Sequence, residues 1–345
     1  MQIVQVAPLW FAIGARGPGG IETFLTALIE ALRRAGADVT LIAAAGSEVP
    51  CRVVPAVERG LFDAMQDGAA WDQVPYEQHA LRLARELGAD ADAVHCHLGP
   101  PGFALGDGPV LHTIHSLVGP DLAWFAARYP ATWLSTVSEH HAAPLRAAGV
   151  ARLRVIPNGL PFEIFQVGGG GEGLAFLGRM EAAKGPDLAI DAARALRRPL
   201  TLAGPVTDPS FFEEVIEPAL GDGIRYAGVL DHDEKTELLG SSTCVLMPSR
   251  WPEPFGLVAV EAMACGTPVA ALPSGALPEV VQEELTGAVG ADLIDAVRRA
   301  ERLDRTAVRE HAAARFGIEA VAARYLEVLA EVAGDDSRRV TRVTG

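Results

Sequence analysis

Two glutamates, Glu253 and Glu261, bracket an apolar segment in the stretch PSRWPEPFGLVAVEAMACGTPVAA. Residues eight apart on a helix are separated by about 800°, so they lie within about 80° of one face. Pro254 predicts an extended Glu253 in a loop, whereas Glu261 belongs to a helix that ends at Gly266. Both carboxylates could therefore bind one elongated polar ligand. The alternatives are a carboxylate that stabilises a helix dipole at Glu253 and an exposed helix charge at Glu261.

A second polar cluster, FLGRMEAAKGPD, places Arg179 and Lys184 between a strand and the next helix. Of the 29 basic residues only Lys184 and Lys235 are lysine, which suggests that Lys184 occupies a position favouring a compact, mobile charge. Two cations of different geometry at the carboxyl end of a strand could hold a diphosphate without a metal ion. The alternative is a surface loop whose charges balance Glu181 and Asp187.

Two glycine-rich segments have different expected roles. RGPGGIETF brings Gly19 and Gly20 to the start of a helix, where backbone amides and the helix dipole favour an anion. This segment lacks the third glycine of a dinucleotide-binding fingerprint, so a tight turn for packing is the alternative. A run of four glycines at 168–171 lacks the Lys-Ser or Lys-Thr of a phosphate loop, and we expect a flexible loop there.

Apolar strand-like runs alternate with helix-length segments along most of the chain, which predicts parallel sheets covered on both faces. We therefore expect an α/β protein of two doubly wound, Rossmann-like domains that face each other across a cleft. The predicted domains are residues 1–160 and 161–317. We expect residues 318–333 to form a final amphipathic helix that could return to the first domain, and we expect residues 334–345 to form a disordered tail.

Composition narrows the class of protein. The 345 residues carry a net charge of −15, so there is no general basic field to attract nucleic acid or anionic lipid. The chain begins without a signal-type segment and has no run of 18 or more apolar residues, which predicts a cytoplasmic protein without stable membrane insertion. The four cysteines are scattered without a CxxC pair, which indicates neither a disulfide framework nor a thiolate zinc site.

The segment EPFGLVAVEAMACGTPVAA resembles the E-x7-E signature of the retaining glycosyltransferases of family 4, which have the GT-B fold. GGIETF resembles that family's first glycine loop, HTIHS its acceptor-side histidine, VIPNGLPFEIF its interdomain segment and GRMEAAKGPDLAI its diphosphate clamp. The motifs occur in the family's order and span nearly the whole chain. RMEAAKG has alanines where the family commonly has a proline and a charged residue, which leaves the shape of this loop open.

The resemblance implies transfer of a sugar from a nucleotide-diphospho-sugar, most simply a UDP-sugar, to a soluble small-molecule acceptor with retention of configuration. Glu253 would contact the donor sugar and Glu261 the ribose. Arg179 and Lys184 would hold the diphosphate, and His115 would face the reacting sugar. The remaining implied donor-side positions are Gly19 and Gly20 in the glycine loop, Val229 and Leu230 beside the base, and Phe255, Gly256 and Leu257 near the diphosphate.

Three more residues, His95, His97 and Ser138, are acceptor-side candidates. His95 and His97 share one face of a strand, a spacing compatible with metal ligands, but the resemblance makes them residues that line the cleft. Ser138 is first of all a predicted helix N-cap. No metal or other cofactor is expected, because the Asp-x-Asp triplets at 90–92 and 231–233 lie at the amino end of a sheet and at a helix start.

Two other kinds of protein fit the same residues. The first is a nucleotide-sugar epimerase or a sugar phosphorylase of the same fold, although a pyridoxal-dependent phosphorylase needs a Schiff-base lysine. Lys235 lies in a polar helix and Lys184 is assigned to phosphate, so neither residue suits that role. The second is a catalytically silent sugar-nucleotide sensor. An isomer formed from the donor alone would identify the epimerase, and tight UDP binding without turnover would identify the sensor.

Overall fold

The computed structural model describes residues 1–14 and 20–335, which form two compact units. The N-terminal unit comprises Met1–Gly159 and the chain from Ile318 onwards, and the C-terminal unit comprises Leu160–Gly317. Each unit contains a parallel sheet with its own hydrophobic core. The predicted pair of Rossmann-like α/β domains is confirmed.

The sheet of the N-terminal unit has seven strands in the order β3-β2-β1-β4-β5-β6-β7. The strands are β1 (Gln2–Val6), β2 (Asp38–Ala44), β3 (Arg52–Val57), β4 (Ala93–Cys96), β5 (Val110–Ile114), β6 (Trp133–Thr136) and β7 (Leu153–Val155). The helices between them are α1 (Gly20–Arg34), α2 (Leu61–Gln66), α3 (Val74–Gly88), α4 (Pro120–Ala126) and α5 (Glu139–Ala147). The strand order reverses between β1 and β4, which is where ligands of open parallel sheets bind.

The C-terminal unit has six strands in the order β10-β9-β8-β11-β12-β13. They are β8 (Leu174–Leu177), β9 (Leu200–Ala203), β10 (Ile224–Tyr226), β11 (Cys244–Met247), β12 (Val269–Ala271) and β13 (Gly287–Val289). The helices are α6 (Pro186–Leu196), α7 (Pro209–Phe211), α8 (His232–Ser241), α9 (Leu257–Ala264), α10 (Leu277–Val280), α11 (Leu293–Ala300) and α12 (Arg305–Phe316). Here the order reverses between β8 and β11.

The last helix, α13 (Ile318–Gly334), belongs to the N-terminal unit and packs beside α1, β4 and β5. Its apolar face is buried through Ile318, Val321, Tyr325, Leu329 and Val332. Tyr325 is the largest fully buried side chain and lies against His95, with the ring centroids 4.8 Å apart. The predicted disordered tail, residues 334–345, is wrong for its first two residues, because Gly334 ends α13 and Asp335 pairs with Arg152 at 2.6 Å. Residues 336–345 lie outside the described residues.

The four-glycine run is a packed joint. A Cβ atom on Gly168 would lie 2.1 Å from the carbonyl oxygen of Gly240, and one on Gly171 would lie 2.4 Å from that of Ser241. Arg305 donates hydrogen bonds to the carbonyl oxygens of Gly168 and Gly240 at 2.9 and 2.8 Å. The interpretation as a flexible loop is therefore wrong, because this backbone is fixed against the end of α8 with no room for a side chain at either position.

The segment FFEEVIEPAL does not form one continuous helix. Residues 209–219 form α7, a π-helical turn and a 3-10 turn in succession. Pro218 lacks the N–H group that a continuous α-helix would use, which accounts for the interruption. None of the helices within the described ranges is both long enough and apolar enough to cross a bilayer.

Candidate functional site

The loop after β8 carries Lys184 and is fixed against the loop after β11. The backbone N–H groups of Arg250 and Trp251 donate to the carbonyl oxygen of Ala183 at 2.8 and 3.0 Å. Gly185 has a φ of +74°, and a Cβ atom there would lie 2.3 Å from the carbonyl oxygen of Pro248. Glycine permits this left-handed backbone and this close approach, so the two loops lie together at the carboxyl edge of the sheet.

Lys184 and Glu253 form a close ion pair. Lys184 Nζ lies 2.6 Å from Glu253 Oε1, and Glu253 is only 7% exposed. Glu181 pairs instead with Arg179 at 2.9 Å, and Asp187 pairs with Arg250 at 2.7 Å. The alternative of a surface loop whose charges balance Glu181 and Asp187 is therefore right for Arg179, which pairs with Glu181, and wrong for Lys184, which pairs with Glu253. The side chain of Arg179 remains half-exposed beside its partner.

A second glycine fixes Glu253 from the other side. Gly275 has a φ of +60°, and a Cβ atom there would lie 2.2 Å from Glu253 N and 2.3 Å from Glu253 O. The next residue, Ala276, donates its N–H to Glu253 O at 2.8 Å. The segment after β12 thus holds the backbone of Glu253, a role that the sequence analysis missed; the Ser274-Gly275 turn was the available signal.

Glu261 lies on α9 and pairs with the second lysine. Lys235 Nζ on α8 is 2.5 Å from Glu261 Oε1, and Glu261 is 8% exposed. Glu261 is therefore not an exposed helix charge. The sequence analysis treated Lys235 as a member of a polar helix and missed this pairing. The rarity of lysine in this arginine-dominated chain was the available signal. Each of the two lysines pairs with one of the two spaced glutamates.

The start of α9 supplies backbone groups. Gly256 adopts a left-handed conformation at the N-cap with a φ of +97°, and no side chain caps the helix. Leu257 is the first helical residue, and the neighbouring Phe255 is buried against Phe316 with ring centroids 5.6 Å apart. Unfilled amides at a helix start favour an anion. Val229 and Leu230 lie between β10 and α8, and Val229 is largely exposed.

The N-terminal unit contains a chain of buried polar side chains on one sheet face. His97 Nδ1 lies 3.0 Å from His115 Nε2, and His97 Nε2 lies 2.9 Å from Gln5 Oε1. Gln5 Nε2 lies 3.1 Å from His95 Nδ1, and His95 Nε2 lies 2.7 Å from Thr113 Oγ1. The strand alternation brings these residues together, because Gln5 is directly opposite His95 in the sheet register.

These histidines are neutral. Burial lowers the pKa of His95 and His97 well below the usual value, and neighbouring histidines lower both further. Burial, followed by the nearby His141, lowers the pKa of His115 to about 3. His115 directly follows β5, and its Nδ1 is shielded from water without a hydrogen-bond partner among the described residues. A ligand group is the simplest partner for such a nitrogen.

The other predicted positions have local structural explanations. Gly20 is the first residue of α1 and is exposed, whereas Gly19 lies outside the described residues. Ser138 is the N-cap of α5 and accepts the N–H of His141 at 3.0 Å, so the predicted capping role is confirmed.

The two Asp-x-Asp triplets also lie where the sequence predicts. Asp92 accepts the N–H of Gln2 at 2.7 Å, at the amino end of β1. Asp231 and Glu234 form a reciprocal capping box at the start of α8. Within the part of the chain that the structure describes, no three histidine, cysteine or acidic side chains are grouped as metal ligands would be.

Both halves of the chain match models of known families. Residues 18–163 match the model described as Glycosyltransferase Family 4, and residues 163–320 match the model described as Glycosyl transferases group 1. A glycogen synthase of Mycobacterium tuberculosis is 32% identical over an alignment covering 60% of this chain and 59% of that protein. A D-inositol 3-phosphate glycosyltransferase of Mycolicibacterium smegmatis is 27% identical, with 96% of this chain and 92% of that protein covered.

Solved structures agree on the fold. AviGT4, a glycosyltransferase involved in avilamycin A biosynthesis, has a TM-score of 0.75 and 26% identity, with 96% of this chain and 98% of that chain covered. Anabaena Alr3699/HepE, solved in complex with UDP and glucose, has a TM-score of 0.71 and 19% identity, with 95% and 98% covered. At 19% identity, the similarity to Anabaena Alr3699/HepE shows a shared fold only.

Proposed function

We propose, from the premise that this chain is a GT-B protein like those of glycosyltransferase family 4, that it is a retaining glycosyltransferase. It moves a hexosyl or N-acetylhexosaminyl group from a UDP-sugar to a small soluble acceptor in the cytoplasm. The observation that carries the proposal is the pair of lysine–glutamate contacts, one between the loops after β8 and β11 and one between α8 and α9, in a chain whose two halves match glycosyltransferase models.

The diphosphate is assigned to the cations after β8. Lys184 is a mobile point charge held at the sheet edge by Glu253, and a diphosphate brings more negative charge than that carboxylate. Arg179 adds a planar fork that suits phosphate oxygens, and its half-exposed side chain is accessible. The first amides of α9, from Leu257 onwards, add hydrogen-bond donors without a further charge.

The two glutamates then divide between sugar and nucleoside. Glu253, released by Lys184, accepts hydrogen bonds from hydroxyls of the transferred sugar. Glu261 keeps one oxygen on Lys235 and offers the other to the ribose hydroxyls. Val229 and Leu230 offer backbone groups to the base, and the exposure of Val229 leaves that edge open. Uracil is the proposed base because the sequence motifs resemble those of family 4, for which a UDP-sugar is the simplest donor.

The reaction follows from this arrangement. The bond between the anomeric carbon and the phosphate oxygen breaks, and its electron pair goes to the diphosphate, where Lys184 and Arg179 stabilise the developing charge. The sugar gains positive character, and the acceptor hydroxyl enters on the face that the diphosphate leaves. Its proton passes to the departing phosphate oxygen nearby. Entry on the same face retains the anomeric configuration.

The acceptor is proposed to be small and polar. The name of the Mycolicibacterium smegmatis relative specifies D-inositol 3-phosphate, which is a compound of that kind. The N-terminal unit would receive the acceptor at the carboxyl edge of β1, β4 and β5, where His97 and His115 end their strands. His115 is assigned to contact the reacting sugar. His95 and His97 are assigned to the hydrogen-bonded chain that holds the His115 ring.

No metal ion is needed in this proposal, because Arg179, Lys184 and the amides of α9 supply the positive charge at the diphosphate. We expect transfer to continue after thorough chelation with EDTA. Activity that is lost in EDTA and regained only with added Mg²⁺ or Mn²⁺ would contradict this assignment, and it would direct attention to the triplets at 90–92 and 231–233.

The function is tested with a thermal-shift screen of UDP-, GDP- and ADP-sugars, followed by turnover of the stabilising donor with candidate acceptors. Glu261→Gln should weaken UDP binding. Glu253→Gln should leave UDP binding nearly unchanged and lower turnover by roughly 100-fold, the scale of one transition-state contact. Equal losses of UDP affinity in the two variants would contradict the assigned roles. An isomer formed from donor alone would replace transfer with epimerisation.

A further inference from the structure

Gln5 lies at the centre of the buried polar chain and makes two hydrogen bonds of opposite kind. It is fully buried on β1, at the point where the strand order of the N-terminal unit reverses. Its Nε2 can only donate and faces His95 Nδ1 at 3.1 Å, while its Oε1 can only accept and faces His97 Nε2 at 2.9 Å. The amide therefore imposes a direction on the hydrogen bonds around it.

That direction fixes the ring protons one after another. Because Gln5 Oε1 is an acceptor, His97 must carry its proton on Nε2. A neutral imidazole has one ring proton, so His97 Nδ1 is an acceptor for His115 Nε2, 3.0 Å away. His115 then carries its proton on Nε2, and its Nδ1 holds a lone pair. On the other side, His95 accepts from Gln5 through Nδ1 and donates from Nε2 to Thr113 Oγ1 at 2.7 Å.

The surroundings keep this chain in place. Thr113 Oγ1 is 2.5 Å from Ser135 Oγ, which extends the chain across a fourth strand. The ring of His115 meets Phe24 edge-on, with centroids 6.0 Å apart, and the ring of His95 lies against Tyr325. Low pKa values keep His95, His97 and His115 neutral near pH 7, so the tautomer of each ring is a defined property of the folded unit.

We propose that Gln5 is a positioning residue that sets the tautomer of His115 through His97, so that His115 Nδ1 accepts a hydrogen bond from a hydroxyl of the substrate. The identity of that ligand as a sugar rests on the proposed function. A neutral Nδ1 lone pair accepts from a hydroxyl and repels a phosphate oxygen, so His115 selects the sugar part of a nucleotide-sugar over its diphosphate.

The tautomers are tested directly by ¹⁵N NMR of the full chain labelled at its nine histidines. The wild-type spectrum should show His115, His97 and His95 as neutral rings protonated on Nε2, with each signal assigned by its loss in the corresponding His→Gln variant. A proton on His115 Nδ1 would overturn the proposal. The NMR measurement requires no turnover, so its result is independent of the glycosyltransferase assignment.

Two substitutions of Gln5 then separate positioning from packing. Gln5→Met fills the same space without hydrogen-bonding groups, whereas Gln5→Glu keeps an oxygen acceptor for His97 Nε2. We expect Gln5→Met to give a mixture of His115 tautomers and to lower kcat by up to about tenfold, the worth of one neutral hydrogen bond, with UDP affinity unchanged. Gln5→Glu should keep the His115 tautomer and most of kcat. An unchanged His115 spectrum in Gln5→Met would overturn the proposal, and if that variant does not fold, the wild-type spectrum still decides.

Discussion

Each of the chain's two lysines contacts one of its two spaced glutamates, which makes them the most informative single residues. Lys184 and Lys235 both have mostly buried side chains, at 20% exposure, and both hold carboxylates that are less exposed still. Buried carboxylates need such partners, because an unpaired charge away from water is strongly destabilising. Substitution of either lysine should therefore affect both stability and ligand binding, and the two effects have to be measured separately.

Lys184→Ala should weaken UDP binding by at least tenfold, because a charge-assisted phosphate contact contributes roughly 1.5–3 kcal/mol. Titration calorimetry with UDP and with uridine distinguishes the causes. Uridine has no diphosphate, so its affinity should be the same in the variant and the wild type. Lys184→Arg, which keeps the charge, serves as the matched control and should retain part of the UDP affinity. Unchanged UDP affinity in Lys184→Ala would remove this residue from the diphosphate site.

Lys235→Met should lower the free energy of unfolding by roughly 3 kcal/mol, because it leaves the Glu261 carboxylate buried and unpaired. Urea denaturation of a double-mutant cycle measures this coupling. Lys235→Met combined with Glu261→Gln should recover most of the loss, since no unpaired charge remains. If the two single losses simply add in the double variant, the contact contributes no stability.

Turns hold Lys184 and Glu253, whereas Glu261 lies on a helix. Gly185 and Gly275 let neighbouring backbone approach within distances that no side chain would permit, and each fixes the loop of a charged residue. The four-glycine joint before β8 works by the same means through Gly168 and Gly171. Close backbone contacts of this kind leave no room for a side chain at these glycines, although the loops have no regular secondary structure.

Gly168→Ala and Gly169→Ala form a matched pair within that joint. A Cβ atom on Gly168 would lie 2.1 Å from Gly240 O, whereas one on Gly169 would meet nothing within 4 Å. Gly168→Ala should lower the free energy of unfolding by roughly 1–3 kcal/mol through overpacking. Gly169→Ala should be neutral or stabilise by roughly 0.4–1 kcal/mol, because it restricts the unfolded chain. Equal Tm values for the two variants would support a flexible loop instead.

The N-terminal unit as a whole is expected to lose stability in acid. Burial lowers the pKa of His112 and His115 to about 3, and it lowers the pKa of His95 and His97 well below the usual value. The pKa of a histidine is about 6.5 when the chain is unfolded, so the unfolded chain binds more protons than the folded chain below that pH. The stabilisation is therefore complete above about pH 6.5 and is lost progressively as the pH falls toward 3.

His112→Leu isolates one of these protons. His112 is buried on the sheet face opposite Gln5, and neither of its ring nitrogens has a hydrogen-bond partner among the described residues. Between pH 6.5 and 5, the unfolding free energy of the variant should fall less steeply than that of the wild type, by up to about 1.4 kcal/mol per pH unit. His79→Leu, at an exposed position, is the control. Parallel curves for His112→Leu and wild type would contradict the assignment.

The sequence by itself determined the fold class and the order of the motifs. Period-two and continuous apolar runs predict parallel strands because each strand is buried on both faces, and this local signal does not depend on distant residues. The positions of Glu253, Lys184 and His115 at strand ends follow from the same pattern. The local signal is weaker for β3 and α3, because β3 is only partly buried at the edge of its sheet and α3 carries many polar residues.

Only the tertiary structure decided which charges pair and which hydrogen-bond directions are set. Lys235 and Glu261 are on different helices. Gln5 is 90 positions from His95 and 92 from His97, so no local pattern joins these residues. The close approaches at Gly168 and Gly275 likewise involve backbone from distant segments. Such contacts depend on how the elements pack, and a sequence pattern that records only local periodicity cannot contain them.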